Sequence, residues 1–342
     1  MIVFVFLMFV ICILYLLIKK ESKGLFLAIT SVLLFIIYAL KNPLLYPDLS
    51  EYLIRFSNIG DISSFVKNIE IDVSNQEPGF LLLMSIIASI THNEFVFLII
   101  IGLILILFYT YVIYKCSPSY LFSILLFIIT NYQSSFYLLR QSLAMVICYS
   151  LIPYIYKKNV LKFIAGILIA CSFHRVALVF LPIYFIYGYK YTISKQFIIL
   201  TTFLIIILSI CSNAIYYFFA DYARSSFDSD YAVTTSTSSF IILFILSIYF
   251  YFGRRQINES NEHRLMFLCL IAALTIFTAG IGLPLVTRVG AYYSGLIFLI
   301  IPYIIKTISN KISRVFMTII FFSLYFALFA LSENNYAFLL DF

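Results

Sequence analysis

The sequence predicts an all-α, polytopic membrane protein with roughly 11–13 transmembrane or re-entrant helices. Three observations point there. Hydrophobic residues make up 63% of the 342 and charged residues only 11%, against roughly half apolar in soluble domains. The apolar runs are continuous rather than alternating, which excludes the pattern of a β-barrel. The basic residues collect in short segments between those runs, as membrane topology requires. No long polar stretch is left for a soluble domain, so residues 1–342 read as a single integral membrane domain. The formal charge of +7 follows from topology and implies no nucleic acid.

Apolar spans are expected near Ile2–Ile18, Leu25–Leu40, Phe95–Tyr114, Tyr120–Tyr137, Leu138–Tyr156, Phe197–Phe219, Phe240–Phe252, Leu265–Ala279, Val289–Ile305 and Val315–Leu331. The first begins at Met1 without a basic leader or a small-residue cleavage site, and reads as a retained span rather than a signal peptide. Of the 22 Lys and Arg residues, 15 lie in residues 19–23, 115, 157–162, 190–195, 254–264 and 306–314, beside only Glu21, Glu259 and Glu262. These segments are assigned to the cytoplasm. The connections at about 41–79 and 220–239 hold nine acids against four bases and are assigned outside.

Two stretches do not fit a simple span, and parity decides them. Phe80–Ile90 is about half the length a crossing needs. It lies between two outer segments, so it reads as a re-entrant or shallow helix. Val160–Tyr187 starts and ends in the cytoplasm and must turn outside, at His174-Arg175. This topology brings Arg140, Arg175 and Arg288 to the outer face, together with His174. An Arg beside hydrocarbon costs a few kcal/mol on insertion scales. It persists where it faces a polar cavity or an anion.

Arg140-Gln141 opens a helix that runs inward, and its planar guanidinium matches phosphate oxygens. Arg288 follows a Gly280–Pro284 helix break, with Tyr292 one turn on. His174 could act as a base or hydrogen-bond a substrate hydroxyl. In the first outer segment Asp48, Tyr52 and Arg55 share one helical face and Leu49, Leu53 and Phe56 the other. That pattern predicts an amphipathic helix lying on the membrane. Glu77 precedes Pro78 at a helix start, where it could be a base, a cap or an arginine's counter-ion. His92 reads as structural and His263 as solvated in a basic loop. Residues 224–239 read as a solvated polar connection. The six cysteines lack metal-ligand spacing, and the outer segments carry no DxD pair but Asp228-Ser229-Asp230. Neither a metal nor another cofactor is expected.

These residues, taken in order, resemble the EpsG family of exopolysaccharide proteins and the related Wzy O-antigen polymerases. The shared positions are Asp48 with Tyr52, Glu77-Pro78-Gly79-Phe80, Arg140-Gln141 with Ala144, Phe173-His174 with Ala177, and Arg288 with Tyr292. The resemblance spans about residues 40 to 300. Where family members often carry Arg and Gly ahead of the Asp, this chain has Lys41 and Pro47. Arg175 stands where Lys or a small residue is common.

The resemblance implies a GT-C-like helical architecture in the bacterial cytoplasmic (inner) membrane. It implies polymerisation of undecaprenyl-diphosphate-linked repeat units at the periplasmic or exterior face, with donor and acceptor glycans each on its own lipid. A flippase and a chain-length regulator are the partners it suggests. Arg140, Arg288 and Arg175 would bind substrate diphosphates. Gln141, Tyr52 and Tyr292 would bind other parts of the substrate, and Glu77, Asp48 or His174 would supply the base. The rival readings are an O-antigen ligase and a flippase or transporter of lipid-linked oligosaccharide. A transporter would be expected to carry charges along a central lumen. The topology is tested by labelling single cysteines in intact cells with an impermeant maleimide. A cysteine replacing Ser57 is expected to react, and one replacing Asn258 is expected to stay protected.

Overall fold

The structure, a computed structural model, describes residues 1–18, 22–64, 77–188, 230–279 and 284–331, with isolated helical positions at Gln196, Leu200, Phe203 and Ile207. The described residues are almost wholly helical and form no strands. The chain divides into two compact units. The first comprises Met1–Pro153, Leu161–Leu178 and Ile319–Phe342, and the second Tyr154–Val160 and Val179–Thr318.

The helices of the first unit are α1 (Ile2–Leu17), α2 (Lys23–Ala39), α3 (Pro47–Asn58), α4 (Pro78–Ala88), α5 (Glu94–Cys116), α6 (Tyr120–Phe127), α7 (Leu139–Ser150) and α9 (Val160–Phe173, from Leu161 on). Asn93 caps α5 by accepting from the N–H groups of Phe95 and Val96. α2 packs beside α5, and the Ser31 hydroxyl donates to Thr110 at 2.9 Å. After α6 the chain widens into a π turn at Ile128–Tyr132 and tightens into a 3-10 turn at Ser134–Phe136. The sequence there is rich in groups that compete for backbone partners. Ser134 donates to the Asn131 carbonyl and Ser135 to that of Tyr132. Two tyrosine hydroxyls anchor the break to α2: Tyr132 donates to Leu34 O at 2.5 Å, and Tyr38 to Ser135 O at 3.1 Å. The break ends the first helix and lets a new one start at Leu139, with Arg140 in its first turn.

α3 has the two faces expected of it. Leu49, Leu53 and Phe56 are buried. Phe56 stacks on Phe97 of α5 at 4.5 Å. The apolar face is therefore covered by protein rather than by lipid. α4 has 11 residues, a rise of about 16 Å. That is about half the hydrocarbon thickness of roughly 30 Å, so the Phe80–Ile90 stretch is too short to cross as a straight helix. α9 stops at Phe173, and the chain continues as a 3-10 turn at Arg175–Phe180, so the expected break falls at His174.

The second unit holds α8 (Ile152–Tyr156, from Tyr154 on), α10 (Pro182–Gly188), α11 (Asp230–Glu259), α12 (Asn261–Ala279), α13 (Pro284–Ser294), α14 (Ile297–Thr307) and the first turns of α15 (Lys311–Leu331). α12 packs against α10, α11, α13 and α14. Two expectations change here. The polar stretch reaching Ser239 is already helical from Asp230, because a helix propagates cheaply back from the apolar segment that nucleates it. Residues 224–229 lie outside the described residues, as do most of 197–219. His263 is buried rather than solvated. α12 starts at Asn261, which puts His263 in its first turn, one turn before Phe267. The Tyr249 hydroxyl meets His263 Nδ1 at 2.9 Å, and Tyr303 lies edge-on to the ring at 5.0 Å.

Five described helices are long and apolar enough to cross a membrane, and six shorter ones are apolar. Their large apolar side chains are often exposed, for example Phe6 and Leu16 on α1 and Phe316 and Ile319 on α15. In water such faces would be a liability. For a multi-pass membrane protein they are the surface that meets lipid.

Candidate functional site

One carboxylate gathers the charged groups of the first unit. Glu77 occupies the N-cap position of α4, with Pro78 at the first helical position. Its side chain does not cap the helix; it turns toward other elements. Oε2 accepts from Arg140 Nη1 at 2.6 Å. Oε1 lies 3.1 Å from His174 Nδ1 and accepts from the Arg175 backbone N–H at 3.3 Å. Arg140 Nε donates to the Tyr52 hydroxyl at 3.1 Å, and the guanidinium lies 5.7 Å from that ring's centre. Side-chain exposure is 8% for Glu77, 13% for His174 and 25% for Arg140. Of these three side chains the arginine is the most open to a ligand.

Close backbone approach makes this possible. A Cβ added to Gly79 would sit 2.9 Å from the Ser172 carbonyl carbon, and a backbone atom cannot swing away. Glycine at 79 thus lets the start of α4 meet the end of α9, two residues before His174. The motif Glu77-Pro78-Gly79 reads as carboxylate, helix start and clearance. The sequence supplied the glycine but not its neighbour.

Burial on its own would raise the Glu77 pKa. The His174 hydrogen bond, the Arg140 charge and the Arg175 N–H outweigh it and hold the carboxyl down at about 2. Glu77 is therefore ionised at neutral pH and acts only as an acceptor. His174 Nδ1 must then carry the hydrogen, and in the neutral ring Nε2 carries the lone pair.

The other expected residues fall as follows. Asp48 is exposed in the first turn of α3, one turn before Tyr52, where its charge complements the helix dipole. Gln141 is buried and donates to Met145 Sδ at 3.8 Å. The Arg175 side chain is exposed, while its backbone joins the cluster. Arg288 and Tyr292 belong to the second unit, one turn apart on α13, with Arg288 exposed and Tyr292 fully buried. Among the described residues no group of three or more His, Cys, Asp or Glu side chains is placed to hold a metal.

Lys41 is a feature the sequence did not reveal. By sequence it is one of the bases of the outer segment, yet it is 2% exposed, with Nζ 3.3 Å from the centre of the Tyr38 ring and 5.0 Å from that of Phe136. Tyr38, three residues before it in the sequence, was the signal that could have placed it.

A depressed carboxyl pKa contributes stability that is present above its unfolded value, near 4.5, and is lost as pH falls toward its folded value of about 2. The thermal midpoint of the purified protein is thus expected to drop between pH 4.5 and 2. Glu77→Gln is expected to flatten that drop and to cost about 1–3 kcal/mol at pH 7, because it removes the charge and puts an NH2 donor in place of one of the two oxygens that meet Arg140 and His174. Comparison with curated proteins and with solved structures finds no match. The family model described as the EpsG family matches residues 25–340. With nearly the whole chain matched, this protein is a member of the EpsG family.

Proposed function

We propose that this chain, a multi-pass membrane protein of a family of Wzy-like polysaccharide polymerases, joins oligosaccharide repeat units carried on undecaprenyl diphosphate, at the extracytoplasmic face of the bacterial cytoplasmic membrane. The observation that carries this reading is the Glu77 carboxylate held among Arg140, His174 and the Arg175 backbone N–H.

In the proposed reaction an acceptor hydroxyl attacks the anomeric carbon of the donor glycan. The new C–O bond forms as the bond from that carbon to the diphosphate oxygen breaks. The hydroxyl proton passes to a base, and the diphosphate leaves on its lipid with the electron pair. Arg140 is exposed enough to meet that diphosphate and is held in place by Glu77 and Tyr52. A fixed guanidinium stabilises the developing charge without reorganising. Arg175, with His174, is assigned to the acceptor or its diphosphate, and Arg288, in the second unit, is assigned to the donor diphosphate only through the family pattern.

The base role moves away from Glu77. A carboxylate held near pKa 2 is a weak proton acceptor. His174 suits the role better: Glu77 fixes its Nδ1–H, which leaves the lone pair on Nε2, a buried nitrogen that substrate binding must uncover. Glu77 is then the organiser of the site. Asp48 remains an exposed carboxylate on the Tyr52 face of α3 and stands as the second candidate. Gln141 and Tyr292 are assigned to the substrate only through the family pattern.

The placement of this chemistry at the outer face is supported within the first unit. Phe97 of α5 packs against Phe56 and Phe80, beside Tyr52. Tyr114, next to Lys115, lies about 26 Å farther along the same helix. Basic cytoplasmic anchors and the Glu77 cluster thus fall at opposite ends of a membrane-length helix.

The test supplies purified protein with lipid-linked repeat units in detergent. A ladder of longer glycans is expected. Arg140→Ala and Arg288→Ala are each expected to cut chain growth by about 10²–10³, the usual effect of losing one charge-stabilising donor, while the protein still reaches the membrane. Normal ladders from both variants would remove the diphosphate assignment. A ligase would need a different acceptor lipid, and a transporter would give no ladder.

A further inference from the structure

Among the described residues a groove of about 500 Å³ lies between α2 and α5 of the first unit, within the size range of ligand sites, roughly 300–1,000 Å³. On the α2 wall Gly24, Ala28 and Ser31 follow one another at helical spacing, beside the apolar Leu27, Val32 and Phe35. A Cβ added at Gly24 meets nothing within 4 Å. The other wall is large and apolar, with Leu103 and Leu107 leading to Tyr114. The floor is neutral and satisfied, because Ser31 bonds to Leu27 O and to Thr110.

Charge marks one end. Lys23 Nζ lies 5.0 Å and Lys115 Nζ 5.5 Å from the centre of the Tyr114 ring. Two ammonium groups therefore share one aromatic ring where the groove ends. Lys23 donates one hydrogen to the Tyr114 carbonyl at 2.7 Å, which covers an open carbonyl at the C-terminus of α5. An ammonium has three hydrogens to donate. Lys115 is exposed.

We propose that this groove is a binding site for an anionic phospholipid, with an acyl chain lying between α2 and α5 and the phosphate resting on Lys23 and Lys115. An apolar slot with cations at one end matches an amphiphile with an anionic head. A neutral lipid would leave the paired ammonium groups uncompensated. The basic end lies about 26 Å along α5 from the level of Phe97 and the Glu77 cluster. The lipid carrier of the polymerase reaction would present its diphosphate at that other end. The occupant here is therefore an ordinary phospholipid of the opposite leaflet, and the proposal stands apart from the reaction assigned above. The Gly24–Ala28 spacing also suits close packing of a second transmembrane helix, so the experiment must separate the two.

Native mass spectrometry of the full-length protein in detergent, titrated with phosphatidylglycerol or with phosphatidylcholine of the same chain length, reads the site directly. Phosphatidylglycerol is expected to bind about 25-fold more tightly, about fivefold for each lysine. Lys115→Gln, at an exposed position that leaves the Lys23 contact to Tyr114 intact, is expected to lose about fivefold for phosphatidylglycerol alone. Lys23→Gln with Lys115→Gln should bring the two lipids level. Ala28→Phe, which fills the slot at an exposed position, should weaken both. A wild-type preference below about threefold, or one that survives the double lysine substitution, would overturn the proposal. So would a disulfide-linked dimer of Ala28→Cys in membranes, which would assign the groove to a second copy of the chain.

Discussion

A single ionised carboxylate in a largely apolar chain is what the site depends on. Glu77 is nearly buried, and a buried charge is tolerated only when it is paired and hydrogen-bonded. Here it receives a guanidinium from one stretch of chain, and an imidazole N–H and a backbone N–H from two adjacent residues of another. Each donor lies beside a break in regular helix. Arg140 follows the π and 3-10 turns after α6, and His174 and Arg175 follow the end of α9. The breaks and the charges explain one another. An interrupted helix frees polar groups that hydrocarbon would not accept, and the ion cluster gives those positions partners.

The membrane shapes the rest. In water, α1 and α15 would be poorly buried helices covered with exposed Phe, Ile and Leu. In lipid the same faces are solvated, and the packing burden falls on polar and aromatic contacts between helices. Tyrosine carries much of it. Tyr38 and Tyr132 pin the helix break to α2, and Tyr249 pins His263 to the neighbouring helix. With 28 tyrosines and no tryptophan, the chain uses a ring that packs as an apolar body and still bonds a backbone carbonyl.

Much of this was legible in the sequence. Hydropathy located the described helices because continuous apolar runs leave no other choice in lipid. Arg140, His174 and Glu77 stood out because each is an ionisable group where one is costly. The amphipathic faces of α3 followed from spacing alone. What spacing could not show was contact between distant segments. It could not show that Gly79 gives clearance for Ser172, or that Glu77 reaches past its own helix start. Nor could it show that Lys41 folds onto Tyr38. His263 was misplaced because a basic loop was weighed as a whole, while its last residues already form the first turn of α12. A count of charges is blind to where a helix begins.

The central claim is that Glu77 fixes the His174 ring with hydrogen on Nδ1 and the lone pair on Nε2. Nitrogen-15 NMR of histidine-labelled protein in detergent at pH 7.5 tests it most directly, with His92 and His263 each replaced to assign the third ring. The account predicts a hydrogen on His174 Nδ1, with the neutral form of the ring holding its lone pair on Nε2, and loss of that preference in Glu77→Gln. A ring protonated at Nε2 in the wild type, or a spectrum unchanged by Glu77→Gln, would contradict it.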